Sequence, residues 1–528
     1  MKHIFTTSIF VFLSLISFSQ AGTLDKSFSV DGRVVIGFKY GTRLGEDDCF
    51  DMALQADGKS VLVGASNGTK SGVFDFAIVR LNTNGTLDQT FNNKGYTFIN
   101  FLGNDEAVAV AIQSDGKIVV AGVADFDGIP KVALVRLLTN GTPDPTFGSN
   151  FSGKVITDFG DTAYAVDVAI QTDGKIVVAG AYYGSVIECM LLRYNTDGSL
   201  DQSFGVLGRS FTNFGWGETA NSLAIQSDGK IVIGGNAHND YVSHFIVARF
   251  KATGFLDGNF GNAGKRIARF GYTDHCASIA IMGNGKIVAV GNTNVDADQD
   301  IAIARFDTYG TIDNTFSGDG KVLTDFSTTG SMDYAKDVAV QSDGKIIVAG
   351  ATALTYNLNF ALLRYNSNGT LDNTFSGDGK TQTDFGASQY GDDDEAYAVK
   401  IQSNGKIIAA GARNTNISGN FIAARYNGDN ATPNVFASDA NIENSTTNES
   451  LSTIHLYPNP VSTALHVEGL NPSFSATISI TDLSGRVFQT AVVTSGECSF
   501  DVSRLKPGVY ELTAVANNVV TRRKFIKQ

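Results

Sequence analysis

One short sequence, Asp-Gly-Lys or Asn-Gly-Lys, recurs seven times along this chain and sets its period. The copies begin at Asp57, Asp115, Asp173, Asp228, Asn284, Asp343 and Asn404. Successive copies are 58, 58, 55, 56, 59 and 61 residues apart. A nearly constant period of this length is typical of propellers and solenoids, which repeat one supersecondary unit.

Each repeat contains four strand-like runs, as residues 106–159 illustrate. The runs read AVAVAIQ, KIVVAG, KVALVRL and GKVITDF, and Asp-Gly lies in the turn between the first two. Asp-Gly between apolar runs indicates a hairpin, and β-branched residues favour strands. Small alanines suit a strand crowded around an axis, so we expect the first run innermost and the fourth outermost. The sequence predicts an all-β chain with a seven-bladed β-propeller of four-stranded repeats over residues 22–428.

The two ends of the repeat region are complementary, which favours a closed ring over an open solenoid. Six repeats contain an Arg, an Asp eight residues later and a Phe three residues after that. Arg425 has no such Asp downstream, whereas Asp25 and Phe28 have no such Arg upstream. We therefore expect Asp25 to meet Arg425 and the N-terminal run GRVVIGF to complete the blade at about residues 395–426. A solenoid would instead need caps on two open ends.

The Arg–Asp spacing predicts structural ion pairs that hold a long loop against the third strand, with the Phe packed between blades. A site residue would more often occur in one repeat than in all of them. The predicted pairs are Arg80–Asp88, Arg136–Asp144, Arg193–Asp201, Arg249–Asp257, Arg305–Asp313, Arg364–Asp372 and Arg425–Asp25.

The first 21 residues are typical of a secretory signal peptide. Lys2 and His3 precede an apolar run that is short for a membrane span, and Ser19 and Ala21 supply the small residues of a cleavage site. A buried first strand is the alternative. We expect no transmembrane span in the mature chain. The formal net charge of −13 argues against non-specific binding to nucleic acid or to an anionic membrane.

The repeat pattern stops after residue 428. Residues 429–453 are rich in Asn, Ser and Thr and predict a flexible linker, and residues 454–528 predict a small β-sandwich. Several motifs follow in order in this tail: Tyr457, Pro458, Asn459, Pro460, Asp482, Ser484, Gly485, Asp501, Ser503, Leu505, Gly508, Tyr510 and Lys524. Through these residues the tail resembles the C-terminal sorting domain of the bacterial type IX secretion system. A carbohydrate-binding or immunoglobulin-like module is the alternative.

This resemblance implies an export route and a partner, the type IX secretion machinery. The N-terminal signal would take the chain through the inner membrane, and the type IX secretion machinery would take it across the outer membrane. The mature protein would then be secreted or held on the outer surface of a Gram-negative bacterium. The repeats, through LDxTF, QSDGKIVVAG and ALLRYNSNGTLD, resemble the delta-60 repeat family, which is assigned a β-propeller structure and implies no particular activity.

No nucleophile motif, Walker loop or dinucleotide fingerprint marks a catalytic site in the sequence. The repeats contain His238, His244 and His275, which we expect to be surface or loop residues. The acidic runs Glu46–Asp48 and Asp392–Glu395 predict solvated turns. No cofactor is expected, apart from possible calcium sites.

Carboxylates at alternate loop positions can converge on calcium, so Asp296, Asp298 and Asp300 are candidate calcium ligands. Trp216, with Tyr182–Tyr183 and Tyr272, could form a sugar-stacking surface. The loops between the second and third strands differ most among the repeats, which suits a binding rim.

We therefore expect a non-enzymatic secreted or surface propeller that binds an unidentified protein or glycan. One alternative is a polysaccharide hydrolase or lyase that uses carboxylates near the axis, and another is a structural surface spacer. Non-repeated Asp, Glu, His or Tyr in a deep axial pocket would favour the enzyme. A channel lined by Ala and Val would count against it.

Overall fold

The computed structural model describes residues 20–429 except 71, 127, 150, 240, 296–298, 327–331, 354–356, 387–391 and 416–417. Near the C-terminus it describes 455–457, 463–468, 476–482, 487–493, 497–506, 508–516 and 519–527. Residues 1–19 of the predicted signal peptide and residues 430–453 of the predicted linker lie outside the described residues. Contacts divide the chain into two compact units with the boundary after residue 435.

All regular secondary structure of the described residues is β-strand. Three short strands come first: β1 (Arg33–Ile36), β2 (Lys39–Tyr40) and β3 (Arg43–Leu44). Blade 1 contains β4 (Asp47–Leu54), β5 (Ser60–Ser66), β6 (Asp75–Leu81) and β7 (Tyr96–Ile99). Blade 2 contains β8 (Asp105–Ile112), β9 (Ile118–Phe126), β10 (Ile129–Leu137) and β11 (Lys154–Thr157).

The next four blades repeat this order. Blade 3 contains β12 (Thr162–Ile170), β13 (Ile176–Tyr183), β14 (Ile187–Tyr194) and β15 (Arg209–Thr212). Blade 4 contains β16 (Gly217–Ile225), β17 (Ile231–His238), β18 (Ser243–Phe250) and β19 (Lys265–Ala268). Blade 5 contains β20 (Thr273–Ile281), β21 (Ile287–Asn294), β22 (Gln299–Phe306) and β23 (Lys321–Thr324). Blade 6 contains β24 (Met332–Val340), β25 (Ile346–Ala353), β26 (Leu358–Tyr365) and β27 (Lys380–Thr383).

Blade 7 is built from both ends of the repeat region. Its first three strands are β28 (Asp392–Ile401), β29 (Ile407–Thr415) and β30 (Gly419–Tyr426), and its fourth strand is β1. β1 pairs antiparallel with β30, with Arg33 opposite Ala424 and Ile36 opposite Phe421. A hydrophobic core cluster then joins blade 7 to blade 1, for example Phe421 with Leu62. The N-terminal strand thus completes the last blade beside the first.

The turn before the outer strand of blade 7 is also shared between the two ends. In blade 1 the Gly85 N–H donates to the Asn82 carbonyl at 2.9 Å. In blade 7 the Gly22 N–H donates to the Asn427 carbonyl at 2.8 Å, so the same turn forms without a covalent link. Gly22 has φ +87° and a Cβ there would lie 2.9 Å from the Ser376 N, so the position requires glycine.

The blades have apolar residues where they pack against each other and small residues in the inner strands, where they converge on the axis. In β5 and β6, the second and third strands of blade 1, every residue is buried, because each sheet is covered by a blade on both faces. The inner strands combine buried and half-buried positions, and every one of the seven carries a register shift that marks a β-bulge. The propeller predicted from the repeats is confirmed by these four-stranded sheets.

The C-terminal unit consists of two antiparallel sheets that share one core. One sheet has the order β31 (His455–Tyr457), β32 (Ala464–Glu468) and β35 (Glu497–Asp501). The other contains β33 (Ala476–Asp482), β34 (Val487–Val493), β36 (Gly508–Ala516) and β37 (Val519–Lys527), in the order β34-β33-β36-β37. Leu465 and Phe500 from the first sheet pack with Leu512 and Phe525 from the second, which makes the unit a β-sandwich.

Candidate functional site at the propeller axis

The bulges place equivalent residues of the seven inner strands at the same level along the axis. Just before each bulge lies a small, fully buried residue: Cys49, Ala107, Ala165, Ala220, Cys276, Ala335 or Ala396. The residue before it lies on the opposite face of the strand, because side chains alternate along a strand, and it is half-buried or exposed in every blade. These seven residues, the mouth ring, are Asp48, Glu106, Tyr164, Thr219, His275, Tyr334 and Glu395.

The mouth ring opens on the face that carries the variable loops. Asp47 pairs with Ser66, so the start of the first strand lies beside the end of the second strand. The connections from second to third strands therefore surround the mouth. Tyr183, at the end of β13, has its ring 5.5 Å from the Tyr164 ring of the mouth. The loops and the mouth thus form one continuous surface in blade 3.

A cavity of about 350 Å³ lies below the mouth and is lined by inner-strand residues of all seven blades. The bulge residues form its upper wall: Phe50, Val108, Val166, Asn221, Ala277, Lys336 and Tyr397. The next level contains Asp51, Ala109, Asp167, Ser222, Ser278, Asp337 and Ala398. Neither level has the same residue type in all seven blades, so the channel is not the uniform Ala and Val surface that would count against an axial enzyme site.

The upper wall holds an ammonium group among aromatic rings and a carboxylate. Lys336 Nζ lies 3.0 Å from Glu395 Oε2 and 4.9 Å and 5.6 Å from the ring centroids of Tyr397 and Tyr334. The Phe50 and Tyr397 rings meet edge to face at 5.8 Å. Carboxylates and aromatic faces together are the environment that stabilises a cation.

The mouth carries more negative charge than Lys336 neutralises. Burial raises the pKa of Asp48, a hydrogen bond from Asn414 opposes this, and the carboxylates of Glu46 and Glu395 raise it further. Glu106 is exposed at the mouth, but partial loss of hydration and then the charge of Asp48 raise its pKa. Several like charges therefore converge on one opening.

Other groups of the mouth titrate away from their ordinary ranges as well. His275 is exposed at the mouth, but partial loss of hydration and then the neighbouring Lys336 charge lower its pKa, which favours its neutral form. Burial and Glu395 raise the pKa of Tyr397, so its hydroxyl stays protonated. A neutral imidazole and a protonated phenol can exchange hydrogen bonds with a polar ligand.

The cavity floor holds a second ionic cluster. Lys400 stands where the other six inner strands have alanine, and its Nζ lies 3.0 Å from Asp337 Oδ2 and 3.9 Å from Asp51 Oδ1. Burial raises the pKa of Asp51 to about 6 and that of Asp167 to about 7. Burial would lower the pKa of Lys400, but these carboxylates, with Asp337 first, raise it overall.

The floor carboxylates also tie neighbouring blades together. Asp51 Oδ2 accepts the Val110 N–H at 2.8 Å, and Asp167 Oδ2 accepts the Leu223 N–H at 2.6 Å. Asp337 Oδ2 accepts the Val399 N–H of blade 7 at 2.8 Å. Part of this acidic cluster therefore serves the ring itself, and the mouth above it is the better candidate for ligand contact.

The predicted solvated turns in the acidic runs are wrong for the residues that the structure places in strands. Asp47 and Asp394 are fully buried near the starts of β4 and β28. Asp47 accepts the Phe38 N–H at 2.6 Å, and Asp394 accepts the Phe385 N–H at 2.7 Å. Asp105, Glu218, Asp274 and Asp333 accept an equivalent loop N–H in four other blades. These carboxylates fasten the loop that enters each inner strand.

The three histidines of the repeats lie in three different environments. His238 ends β17, and His275 belongs to the mouth. His244 was expected at the surface or in a loop, but it is buried in β18 with Nδ1 3.1 Å from Asp274 Oδ2. Its ring centroid lies 5.8 Å from that of Trp216. His244 is therefore a buried residue of the propeller and does not belong to the mouth.

The structure does not gather the predicted stacking aromatics into one surface. Trp216 packs on His244, whereas Tyr182 packs between Phe159 and Phe211 with ring centroids 5.5 Å and 5.3 Å away. Tyr272 is exposed. Of that predicted set, Tyr183 approaches the mouth.

Of the calcium candidates, Asp296 and Asp298 lie outside the described residues. Asp300 groups instead with Asp325 and Asp333, whose nearest carboxylate oxygens all lie within 4.8 Å of one another. Asp333 already accepts the Phe326 N–H at 2.7 Å and the Thr352 hydroxyl. Calcium binding here stays a prediction.

The face opposite the mouth carries the repeated Arg, Asp and Phe. In all seven repeats the Arg Nε lies 2.6–2.9 Å from the Asp Oδ2. The guanidinium also covers the buried Phe ring at 4.6–4.8 Å. Six of the arginines donate to a backbone carbonyl of the next blade, as Arg193 does to Ala252 at 2.6 Å. These hydrogen bonds connect six of the seven blades to the next blade around the ring.

A lysine also pairs with most of these aspartates, and the sequence analysis did not predict it. The Lys of the Asp/Asn-Gly-Lys turn lies 2.6–3.2 Å from the same Asp in six repeats. In blade 4, Lys230 pairs with Asp228 of its own turn instead. The turn Lys, which recurs with the same period, was the available signal.

Part of the predicted sorting motif lies in the described residues of the C-terminal unit. Tyr457 is in β31, Gly508 and Tyr510 are in β36, and Lys524 is in β37. The Tyr510 ring stacks on Phe525 at 5.8 Å and its hydroxyl donates to the Lys506 carbonyl at 2.9 Å. Pro458, Asn459, Pro460 and Gly485 lie outside the described residues.

Comparison with protein families identifies both units. Seven segments match the model described as "Domain of unknown function (DUF5122) beta-propeller": 55–91, 113–147, 171–204, 226–260, 283–316, 341–375 and 402–429. Residues 455–528 match the secretion system C-terminal sorting domain. No curated protein matches the sequence. No helix among the described residues is long and apolar enough to cross a membrane.

Solved structures with a similar course of the chain are distant in sequence. PorZ, a surface component of the type-IX secretion system of Porphyromonas gingivalis, is 12% identical with a TM-score of 0.30, covering 92% of this chain and 74% of its own. Polysaccharide lyase Uly1 is 12% identical with a TM-score of 0.44, covering 77% and 97%. A protein of unknown function from Dyadobacter fermentans is 12% identical with a TM-score of 0.38, covering 75% and 98%. Similarity at this level carries no information on ligand or activity.

Proposed function

Because the chain belongs to this family of repeat β-propellers and ends in a secretion-system sorting domain, we propose that it is an exported propeller that binds a glycan at its axial mouth. The sorting domain indicates secretion or display on the outer surface of a Gram-negative bacterium. The proposal concerns what the propeller does once it is there.

The observation that carries the proposal is the contrast between two adjacent positions of the inner strand. The position before the bulge is Ala or Cys in every blade, because it packs between blades. The mouth-ring position one residue earlier differs widely among blades although it sits in the same strand. Packing does not require Tyr164, His275 or Glu395 there, so these polar side chains are available for a ligand.

A glycan suits this site better than a flat protein surface. The cavity of about 350 Å³ is near the lower end of the range for small-ligand sites, and it is concave. Rings such as Tyr164 and Tyr334 can stack on sugar faces, while Asp48 and Glu106 can accept hydrogen bonds from hydroxyl groups. Protein partners usually bury a broad surface of about 800 Å² on each side.

The test is a glycan array probed with the full mature chain, followed by titration of the best ligand. Tyr334→Ala removes one ring of the mouth and should weaken binding at least about tenfold, as loss of a buried aromatic contact does. Tyr309→Ala is the matched control, because Tyr309 is 69% exposed and lies in a groove beside the Asp228 turn, on the opposite face. Equal binding by both variants would contradict a role for the mouth.

A second candidate function is cleavage of a polysaccharide at the same mouth. It is favoured by the titratable groups there whose pKa values are shifted, His275, Tyr397 and Glu106 among them. The array ligand incubated with the protein should then yield new reducing ends or an unsaturated product. His275→Ala should abolish that release while leaving the melting temperature unchanged.

A further inference from the structure

We propose that the axial mouth recognises a protonated amino group, so that its ligand is a polysaccharide with free amino sugars and not an acidic one. This inference rests on the proposed function and names the substrate class of the same site.

The excess of carboxylates over ammonium groups along the axis disfavours an anionic ligand. The mouth ring contributes the carboxylates of Asp48, Glu106 and Glu395. The cavity below it is lined by those of Asp51, Asp167 and Asp337. Two ammonium groups, those of Lys336 and Lys400, face them. A narrow opening in which carboxylates outnumber ammonium groups focuses a negative potential, which attracts cations and repels anions.

The chain itself shows how an ammonium fits in this opening. Lys336 places its Nζ against Glu395 at 3.0 Å and over the Tyr397 ring at 4.9 Å. An amine on a sugar ring meets the same two types of group elsewhere on the mouth. Asp48 and Glu106 belong to adjacent blades, and the charge of Asp48 contributes to the raised pKa of Glu106, as those of Glu46 and Glu395 do to that of Asp48. An ammonium bound between them relieves that repulsion.

The aromatic residues explain why the cation would be carried by a sugar. Tyr164 lies next to Glu106 in the ring, and its own ring meets Tyr183 edge to face at 5.5 Å. A pyranose stacked on this pair would hold its amino group toward the carboxylates of blades 1 and 2. A metal ion would instead need several oxygen ligands and no aromatic platform.

The experiment measures binding of the full mature chain to three oligosaccharides of equal length by calorimetry near neutral pH. The probes are a glucosamine oligomer, its N-acetylated counterpart and an oligogalacturonate. We expect the glucosamine oligomer to bind at least about tenfold more tightly than the other two, and the difference to shrink in high salt.

Two isosteric variants locate the effect. Glu106→Gln removes one charge at an exposed position of the mouth and should reduce the preference for the amine about tenfold without unfolding the protein. Asp115→Asn removes one charge on the opposite face, where Asn284 and Asn404 occupy the same turn position in other repeats. It should leave binding of all three probes unchanged.

The outcomes separate this inference from the proposed function. Equal or tighter binding of the N-acetylated or acidic oligomer, still lost in Tyr334→Ala, overturns the amine preference and supports a glycan site at the mouth. Binding that neither Tyr334→Ala nor Glu106→Gln changes overturns both. An amine preference that Asp115→Asn weakens as much as Glu106→Gln also overturns the inference, because net charge alone would explain it.

Discussion

Arg425 Nε lies 2.6 Å from Asp25 Oδ2, although 400 residues separate the two in the sequence. Burial alone would raise the pKa of Asp25, but hydrogen bonds from Lys406 and Ser27 and the Arg425 charge lower it to about 2. The pair therefore joins the first and last parts of the propeller by a buried, charge-assisted contact.

Breaking this pair should loosen the N-terminal strand. Asp25→Asn leaves the Arg425 guanidinium buried without its carboxylate, which we expect to cost about 3–5 kcal/mol in the free energy of unfolding. Asp201→Asn breaks the same contact inside blade 3, where the chain is continuous, and is the matched control. Hydrogen exchange should accelerate in residues 22–36 only in Asp25→Asn. Equal protection of these residues in both variants would contradict a special role of the closure.

The phenylalanine beneath each arginine should contribute strongly to stability. Phe147 is fully buried between blades 2 and 3, whereas Phe151, four residues later, is 84% exposed. Phe147→Ala should lower the free energy of unfolding by about 3–5 kcal/mol because it leaves a cavity. Phe151→Ala should change it by less than about 0.5 kcal/mol. Chemical denaturation of the two variants gives the comparison.

Stability should pass through a maximum in mildly acid solution. Asp25, Asp144 and Asp372 have pKa values lowered to about 2, so their contribution is present above about pH 4 and is lost as pH falls toward 2. Asp51 and Asp167 have pKa values raised to about 6 and 7. Their protonated forms stabilise the folded state, so the free energy of unfolding falls as pH rises through those values. The melting temperature should peak between about pH 4 and 6. A monotonic rise to pH 8 would disprove the effect of the axial carboxylates.

Lys400 should matter more as pH rises. Lys400→Met removes the ammonium from the three floor carboxylates and should cost about 1–3 kcal/mol at pH 8. The cost should shrink near pH 5, where Asp51 and Asp167 bind protons. Lys131→Met, which breaks the surface pair with Asp158, is the control and should cost less than about 1 kcal/mol at either pH. A pH-independent loss in Lys400→Met would show that packing, not charge, sets its role.

The repeat itself made the architecture predictable, because equal spacing of turn and strand residues reports equal local structure. The four-stranded unit, its inner and outer strands and both family resemblances follow from that spacing and from motifs in order. The carboxylates that accept the loop N–H groups could not be predicted, because the number of residues between the carboxylate and the bonded N–H varies with loop length. Asp105 binds the N–H of Phe101, four residues earlier, whereas Asp47 binds that of Phe38, nine residues earlier.

The mouth ring could not be identified without the bulge. Asp48, Tyr164 and His275 share no residue type, so no motif connects them. They become one set once the register shift of each inner strand shows which residue precedes the small buried one. Aligning the repeats on that Ala or Cys would have shown a variable column, but not that the column faces the axis.

The turn formed between Gly22 and Asn427 has a consequence for biogenesis. Translation delivers the outer strand of the last blade first and its three partners after all the other blades. Until β30 has been synthesised, β1 lacks its partner strand, and the β30 edge then stays unpaired until the two ends meet. Closure of the ring requires the final repeat, so we expect it to be a late step in folding.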